Sequence, residues 1–339
     1  MLNIAYLGNG KSTNRYHLPF MLKSGKFNLK TIYARHLDGP WKKLPQVHYT
    51  KNLNDLYQDD TLDLIVITTP PEFHYQYAKE CLEHGKNVLV EKPFAQTKAE
   101  AEELFQLAKD RGLFIQAYQN RRFDSDFLTT QKVIESGKLG TLLEVEDNYD
   151  YYRPEVPASS TGLDWSSSFI YTHACHTVDQ VISYWGQPQQ INYDVRQLLG
   201  TNKMNDYFDF DFNYQNLKAS IRSSYFRIKA RPTFVAYGTK GMFVKETEDR
   251  QEIDLKHFYL PTNDHPDFGL DQPEHYGTLT YYDDLGNYHE EKVVSEVGDY
   301  ARMYEAVYES IANHQPKVVQ DWETIAQIEI LEQAFGKLQ

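Results

Sequence analysis

The stretch LNIAYLGNGKST, Leu2 to Thr13, decides how the rest of the chain is read. It begins as a continuous apolar run and stops at two glycines one residue apart. A run of that kind is buried on both faces, as in a strand inside a parallel sheet. Gly8 and Gly10, with Asn9 between them, match the first two glycines of a dinucleotide-binding turn, and Thr13 stands in place of the third. The first glycine permits the tight turn. The second lets backbone approach a pyrophosphate, and amides at the next helix start face the anion. Ser12 and Thr13 are expected to add hydroxyl donors. A lone G-x-G turn is weak evidence, so its weight rests on the pattern of the next hundred residues.

That pattern is an alternation of strands and helices. KTIYAR, LDLIVITTP, NVLVEKP and LFIQAYQNRR read as strands. FHYQYAKECLEHG and KAEAEELFQLAKDRG have helical spacing and stop at Gly85 and Gly112. Apolar strands alternating with helices imply a doubly wound parallel sheet, the Rossmann arrangement. After Arg122 the texture changes. DSDFLTTQKVIESGKLG reads as one helix, and then come runs of period two: TLLEVEDNYDYY, QINYDVRQLL, DYFDFDFNY, LKASIRSSYF and TFVAYGTKGMFVKE. Period two belongs to a mainly antiparallel, open-faced sheet. Helices near 300–313 and 322–335 close the chain. The expected class is α/β followed by α+β. Residues 1–120 form a dinucleotide-binding domain and residues 121–339 a substrate-binding and oligomerisation domain, whose last helix is free to pack back on the first.

Length and charge limit the alternatives. At 339 residues the chain exceeds a typical single domain. Its net charge of −13 opposes nucleic-acid binding. No apolar run is long enough to cross a bilayer, and MLNIAYLGNG lacks the basic start of a secretory signal. Cys81 and Cys175 cannot make a disulfide framework. The expectation is a cytoplasmic protein with no membrane or nucleic-acid partner.

Three places carry chemistry. NAD-binding strands usually place an acid about 20 residues past the glycines, on the ribose hydroxyl. Here NLKTIYARHLD offers Arg35 and no acid before Asp38, which favours the 2′-phosphate of NADP over NAD. The second place is Glu91-Lys92-Pro93, at the end of an apolar strand, where open sheets bind ligands. A lysine there can stabilise a developing alkoxide, and a cis Lys92–Pro93 bond is compatible with the turn. The third is FIYTHACHTVDQ, where His176 and Asp179 share a helix face. Histidine suits proton removal from an alcohol that loses hydride, with Asp179 to orient it or to meet substrate. His173 and His176 lack the accompanying ligands of a metal site, so no metal is expected.

Taken in order, the G-x-G turn with HLP, then TTPPEFH, GKNVLVEKPF, QNRRFDSDF, ESGKLG and HTVDQ, resemble the glucose–fructose oxidoreductase / inositol dehydrogenase / rhizopine-catabolism (Gfo/Idh/MocA) family over nearly the whole chain. GKSTNRYHLPF, EKPF and YQNRRFDSDFL look most similar to its NADP-dependent scyllo-inositol dehydrogenase branch. The resemblance implies hydride transfer between NADP, alternatively NAD, and a ring hydroxyl of a sugar or cyclitol. It implies Lys92 and His176 as catalytic groups. Thr69, Pro70, His74, Glu91, Asn120 and Arg121 would lie by the cofactor. Arg122, Tyr152, Thr172, Asp179 and Tyr300 would meet substrate, with Tyr304 beside Tyr300 in the pocket wall. Homodimers or homotetramers are the implied assemblies. The family pattern D-x-G-x-H-x-x-D reads here Thr172-His173-Ala174-Cys175-His176-Thr177-Val178-Asp179, so threonine replaces the acid that assists the histidine. Two rival readings stay open. One is an NADP(H)-binding regulator without turnover, and the other a redox-assisted glycosidase. The loop DYYRPEVPASSTGLDW is left to set substrate choice.

Overall fold

The protein is described by a computed structural model over residues 1–338. The chain divides into two compact units. The first comprises Met1–Asn120 and takes back two later segments, Phe258–Pro266 and Tyr300–Glu329. The second comprises Arg121–His257, Asp267–Asp299 and Ile330–Gln339. The first unit is therefore built from three stretches, not from the 120 N-terminal residues alone.

In the first unit the strands are β1 (Leu2–Leu7), β2 (Phe27–Tyr33), β3 (His48–Thr50), β4 (Leu64–Ile67), β5 (Val88–Val90) and β6 (Ile115–Ala117). Their order is β3-β2-β1-β4-β5-β6, all parallel. Every residue of β4 and β5 is buried, as strands covered on both faces require. The helices are α1 (Leu18–Ser24), α2 (Asn54–Tyr57), α3 (His74–Glu83) and α4 (Lys98–Arg111). α4 shows how sequence sets its own ends. Thr97 accepts from the Glu100 amide, Glu100 reaches back to the start of the helix, and Gly112 at φ 65° ends it. The strand order reverses direction between β1 and β4. Ligands of such sheets sit outside the carboxyl ends of the strands at that point.

The second unit begins with α5 (Ser125–Glu135) and β7 (Leu142–Asn148), then α6 (Glu155–Ser159) and α7 (Cys175–Trp185). β8 (Gln190–Arg196), β9 (Tyr207–Asn213), β10 (Lys218–Ser224), β11 (Phe234–Gly238), β12 (Gly241–Lys245), α8 (Arg250–Lys256), β13 (Gly277–Tyr282) and β14 (Tyr288–Val293) come after them. The eight strands run β14-β13-β12-β11-β7-β10-β9-β8, antiparallel except for β7 beside β10. β9 shows the period-two logic. Phe208, Phe210 and Phe212 are fully buried, while Tyr207, Asp209 and Asp211 stand on the half-exposed face. Each such phenylalanine contributes about 2–3 kcal/mol of burial. TFVAYGTKGMFVKE, a single run by its period, is a hairpin of β11 and β12.

The chain then returns to the first unit with α9 (Ala301–Asn313) and ends in α10 (Asp321–Gly336). α9 packs against α1. The returning segment at 258–266 places Phe258 under the Arg15 guanidinium at 4.2 Å and beside Trp41 at 5.6 Å. Among the described residues no helix is long and apolar enough to cross a membrane.

Candidate active site

In the first unit the candidate cofactor residues gather at strand carboxyl ends. Gly8 follows β1, Arg35 lies two residues past β2, Thr69 and Pro70 follow β4, Glu91 and Lys92 follow β5, and Asn120 lies beyond β6. Gly8 is needed where it stands. Its φ is 132°, and a Cβ there would lie 2.5 Å from Thr68 Oγ1. Gly10 has the opposite surroundings, with nothing within 4 Å of the same built atom. The Ser12 and Thr13 hydroxyls, expected to face an anion, are engaged within the protein. Ser12 donates to Glu91, and Thr13 bonds Thr68 Oγ1 at 2.7 Å and the Gly8 carbonyl at 3.1 Å. Thr13 thus binds the glycine turn to the end of β4, a task a third glycine has no side chain to perform.

The charged pair at the end of β5 is held by a buried chain of side chains. Glu91 accepts from Ser12, from His17 Nε2 at 3.2 Å and from the Lys92 amide at 2.6 Å. His17 Nδ1 meets the Tyr304 hydroxyl at 2.7 Å, and Tyr304 meets Tyr6 at 2.8 Å. Burial pushes both tyrosine hydroxyls well above their ordinary range, so their protons stay on. Burial also resists the charge on Glu91, yet His17, Lys92 and Ser12 together hold its carboxyl down at about 2. His17 packs on Tyr118 with ring centroids 4.0 Å apart and planes tilted by 32°. The turn that presents Lys92, itself a cis Lys92–Pro93 bond, is therefore fixed from below by an ionised acid.

His74 helps from the other side. It is buried, with Nδ1 2.7 Å from the Pro93 carbonyl and Nε2 2.8 Å from the Thr69 carbonyl. Burial lowers its pKa, while the two carbonyls pull it back. Both nitrogens of this predicted cofactor residue thus face backbone, and it struts the β4 and β5 turns together. Arg35 is exposed, with its guanidinium 5.4 Å from the Phe73 ring centroid. Tyr300, expected to meet substrate, is fully buried against Phe20, and Tyr304 belongs to the His17 chain, so both sit in the first unit's core.

These residues fit a dinucleotide. Thr69 Oγ1 is buried with no hydrogen-bond partner just past the end of β4, and Gly10 leaves open space where a side chain would stand, both at strand carboxyl ends where such sheets bind ligands.

In the second unit, Arg122 grips Asp179 with both arms, Nε to Oδ2 at 2.8 Å and Nη2 to Oδ1 at 2.7 Å. Gln180 donates to the Arg121 carbonyl at 2.9 Å. These bonds lock α7, which carries His176 in its first turn, onto the 121–123 turn. Asp179, expected to orient His176 or meet substrate, is engaged in that lock. Arg121, expected beside the cofactor, meets Asp124 at 3.0 Å, Glu252 at 3.2 Å and Tyr149 at 3.1 Å. Around it lies a buried acid cluster. Burial and Asp124 push Asp126 up to about 8, and burial with Asp126 and Asp124 raises Asp147 well above the carboxylate range.

A cavity of about 720 Å³ opens beside the turn that precedes α7. The loop DYYRPEVPASSTGLDW supplies much of its wall, including Ser159, Ser160, Thr161 and Asp164, while Ser167, Thr172, His173, Met204 and Tyr225 complete it. Lys203 anchors the loop through the Ala158 and Ser160 carbonyls at 2.7 and 2.8 Å. Just before α7 a π-helical turn, Ile170–Ala174, presents Thr172 and His173 to the cavity. Such turns recur at functional sites. Tyr152, on the same loop, is 57% exposed and is not among the lining residues. His17, bonded to Glu91, and His173, on the cavity wall, are candidates that sequence reasoning does not assign. HLP marks His17 only as part of a helix start, and the spacing of His173 from His176 raises only the question of a metal.

A parallel sheet with a glycine turn at its switch point is the arrangement of a dinucleotide-binding Rossmann unit. Residues 2–119 match the oxidoreductase family with an NAD-binding Rossmann fold, and residues 127–244 match the Gfo/Idh/MocA C-terminal domain. The chain belongs to the Gfo/Idh/MocA family of oxidoreductases. It is 42% identical to the uncharacterised oxidoreductase YhhX of Escherichia coli K12 over 99% of this chain and 96% of that one. It is 28% identical to the NADP⁺-dependent scyllo-inositol 2-dehydrogenase IolW of Bacillus subtilis 168, over 98% and 93%. A crystal structure of an oxidoreductase from Bacillus cereus superposes with a TM-score of 0.93 at 37% identity, over 99% and 96%.

Proposed function

We propose that the protein moves a hydride between NADP(H) and a secondary hydroxyl of a sugar or cyclitol. The observation that carries this reading is the clamped β5 turn: an ionised Glu91 fixes the amide of Lys92 at 2.6 Å, at the strand end where a dinucleotide-binding sheet receives its ligands. The name of the Bacillus relative, an inositol dehydrogenase, supports the substrate class.

A nicotinamide dinucleotide, when bound, supplies the hydride chemistry. Gly8, Gly10 and the turn after them would hold its pyrophosphate, Thr69 would give its hydroxyl a partner, and Arg35 would meet a 2′-phosphate. Lys92 places an ammonium against the substrate oxygen and stabilises it as its proton leaves. His176 accepts that proton. Asp179 does not touch the reaction in this scheme; through Arg122 it fixes the helix that carries His176. The same reading includes self-association into a dimer or tetramer through the sheet face on which Glu144, Glu146, Asp209, Lys218 and Arg222 form ion pairs.

The test is turnover of inositols and aldoses with NADP and NAD, followed by reduced-nicotinamide absorbance, in wild type, Lys92→Met and His176→Ala. Each variant is expected to lose about 100-fold or more in kcat. Wild-type turnover in both would overturn the assignment.

A further inference from the structure

Resting on the proposed reaction, we infer that His173, not only His176, meets the substrate: its Nε2 accepts a hydrogen bond from a hydroxyl of a neutral polyol held in the second unit's cavity. Proton counting gives the ring its tautomer. Thr172 has one hydroxyl proton, which goes to the Ser168 carbonyl at 2.6 Å. The same oxygen lies 2.8 Å from His173 Nδ1. With its proton already given, Thr172 Oγ1 can only accept, so Nδ1 carries the hydrogen and donates. In the neutral ring Nε2 then bears the lone pair. Threonine at position 172, where the family pattern has an acid, becomes a neutral lock on the adjacent imidazole.

The surroundings hold this ring in place. Its centroid lies 4.7 Å from Phe169, 5.1 Å from Tyr151 and 5.8 Å from Tyr225, each at a steep angle. Phe169 and Tyr225 stack on each other at 4.0 Å. The half-buried ring lines the cavity of about 720 Å³, beside Thr172 and a wall of serine and threonine hydroxyls. A hydroxyl that donates to Nε2 can still accept from such a wall. An acceptor nitrogen surrounded by hydroxyls suits a polyhydroxylated, uncharged ring more than an anion.

Two measurements test it on the full-length protein. Long-range ¹⁵N spectra, with His173 assigned by loss of its signals in His173→Phe, should show Nδ1 protonated and Nε2 pyridine-like. An Nε2-protonated ring would overturn the inference. In the second, myo-inositol and D-glucose are titrated by calorimetry and by steady-state kinetics. His173→Phe keeps the aromatic packing and should weaken polyol binding and raise KM by about tenfold, the loss of one good hydrogen bond. NADPH affinity should stay unchanged. His173→Gln, which restores an acceptor, should recover part of the loss. A polyol oxidised with unchanged KM by His173→Phe would overturn this site and leave the proposed reaction standing. A polyol bound but not oxidised by wild type, and lost in His173→Phe, would keep the site and overturn the reaction. Failure of wild type to bind either probe would overturn the site.

Discussion

Glu91→Gln removes a charge and almost no volume, so it isolates what ionisation contributes. In the folded protein the Glu91 carboxyl is held at about 2, against an ordinary value of 4.5. Burial opposes that charge, and the His17 imidazole, Lys92 and the Ser12 hydroxyl outweigh it. A carboxyl lowered on folding adds stability above its unfolded value and loses it as pH falls through its folded value. The window is therefore pH 4.5 down to pH 2. The gap between the two values corresponds to about 3 kcal/mol at pH 7, and integrating the linkage leaves roughly 1.5 kcal/mol at pH 3. The amide stands in for the protonated acid, so the variant should fall short of wild type by these amounts. Urea unfolding followed by circular dichroism, in matched ionic strength at several pH values, reads the difference. A deficit under about 1 kcal/mol at pH 7, or one constant down to pH 3, would refute the claim that an ionised Glu91 holds the turn.

Other parts of the structure lead to further expected outcomes. Gly8→Ala should destabilise by about 3 kcal/mol or more, because its Cβ would meet Thr68 backbone at positive φ. Gly10→Ala should melt like wild type yet bind NADPH more weakly; equal NADPH affinity, read by fluorescence titration, would count against a pyrophosphate at that turn. Arg35→Asp should shift the ratio of NADP to NAD efficiency by about tenfold or more toward NAD, and an unchanged ratio would remove the arginine from cofactor choice. Asp147→Asn should respond to pH in the sense opposite to Glu91→Gln. Burial raises the Asp147 carboxyl far above 3.8, so wild type loses stability as pH climbs past that value. The variant's advantage in urea should therefore grow from pH 4 to pH 8, and a flat difference would show that Asp147 is not held neutral.

The parts of the fold that are legible in sequence are those whose burial is uniform. LIVI of β4 and VLV of β5 are covered on both faces, so composition alone marks them. β13 and β14 escape such a reading because GTLTYY and YHEEKV carry threonine, glutamate and lysine, and β14 is mostly exposed. β3 is three residues long and too short for any period to show. The return of 258–266 and 300–329 to the first unit depends on contacts made far along the chain, such as Arg15 with Phe258. The site divides in the same way. Strand-end positions of Gly8, Thr69, Glu91 and Lys92 can be read from where apolar runs stop. Their partners cannot. Glu91 depends on His17, 74 positions away, and Arg121 on Glu252. For the same reason Arg121 looks like a cofactor residue in sequence: an arginine beside a predicted ligand crevice does not reveal that two carboxylates already hold it.

Position 172 is where the motif and the packing have to be weighed together. Read as a motif, threonine in place of an acid is a loss, because an imidazole at position 176 lacks a carboxylate to stabilise its charged form. Read in the structure, the same hydroxyl is turned to Ser168 and His173, so its effect is to set the tautomer of a different ring. The electrostatics of the cavity change with it. The acid among its lining residues is Asp164, and its Oδ1 is engaged by the Ser166 amide at 2.7 Å and the Ser166 hydroxyl at 2.6 Å. The wall is thus rich in hydrogen-bonding groups and poor in charge that a substrate would have to balance. Desolvating an anionic substrate against such a wall costs more than desolvating a neutral one, because nothing in the lining offers a fixed counter-charge. A neutral molecule with many hydroxyls meets no such cost, which is why the proposed substrate class and the proposed tautomer of His173 stand or fall together.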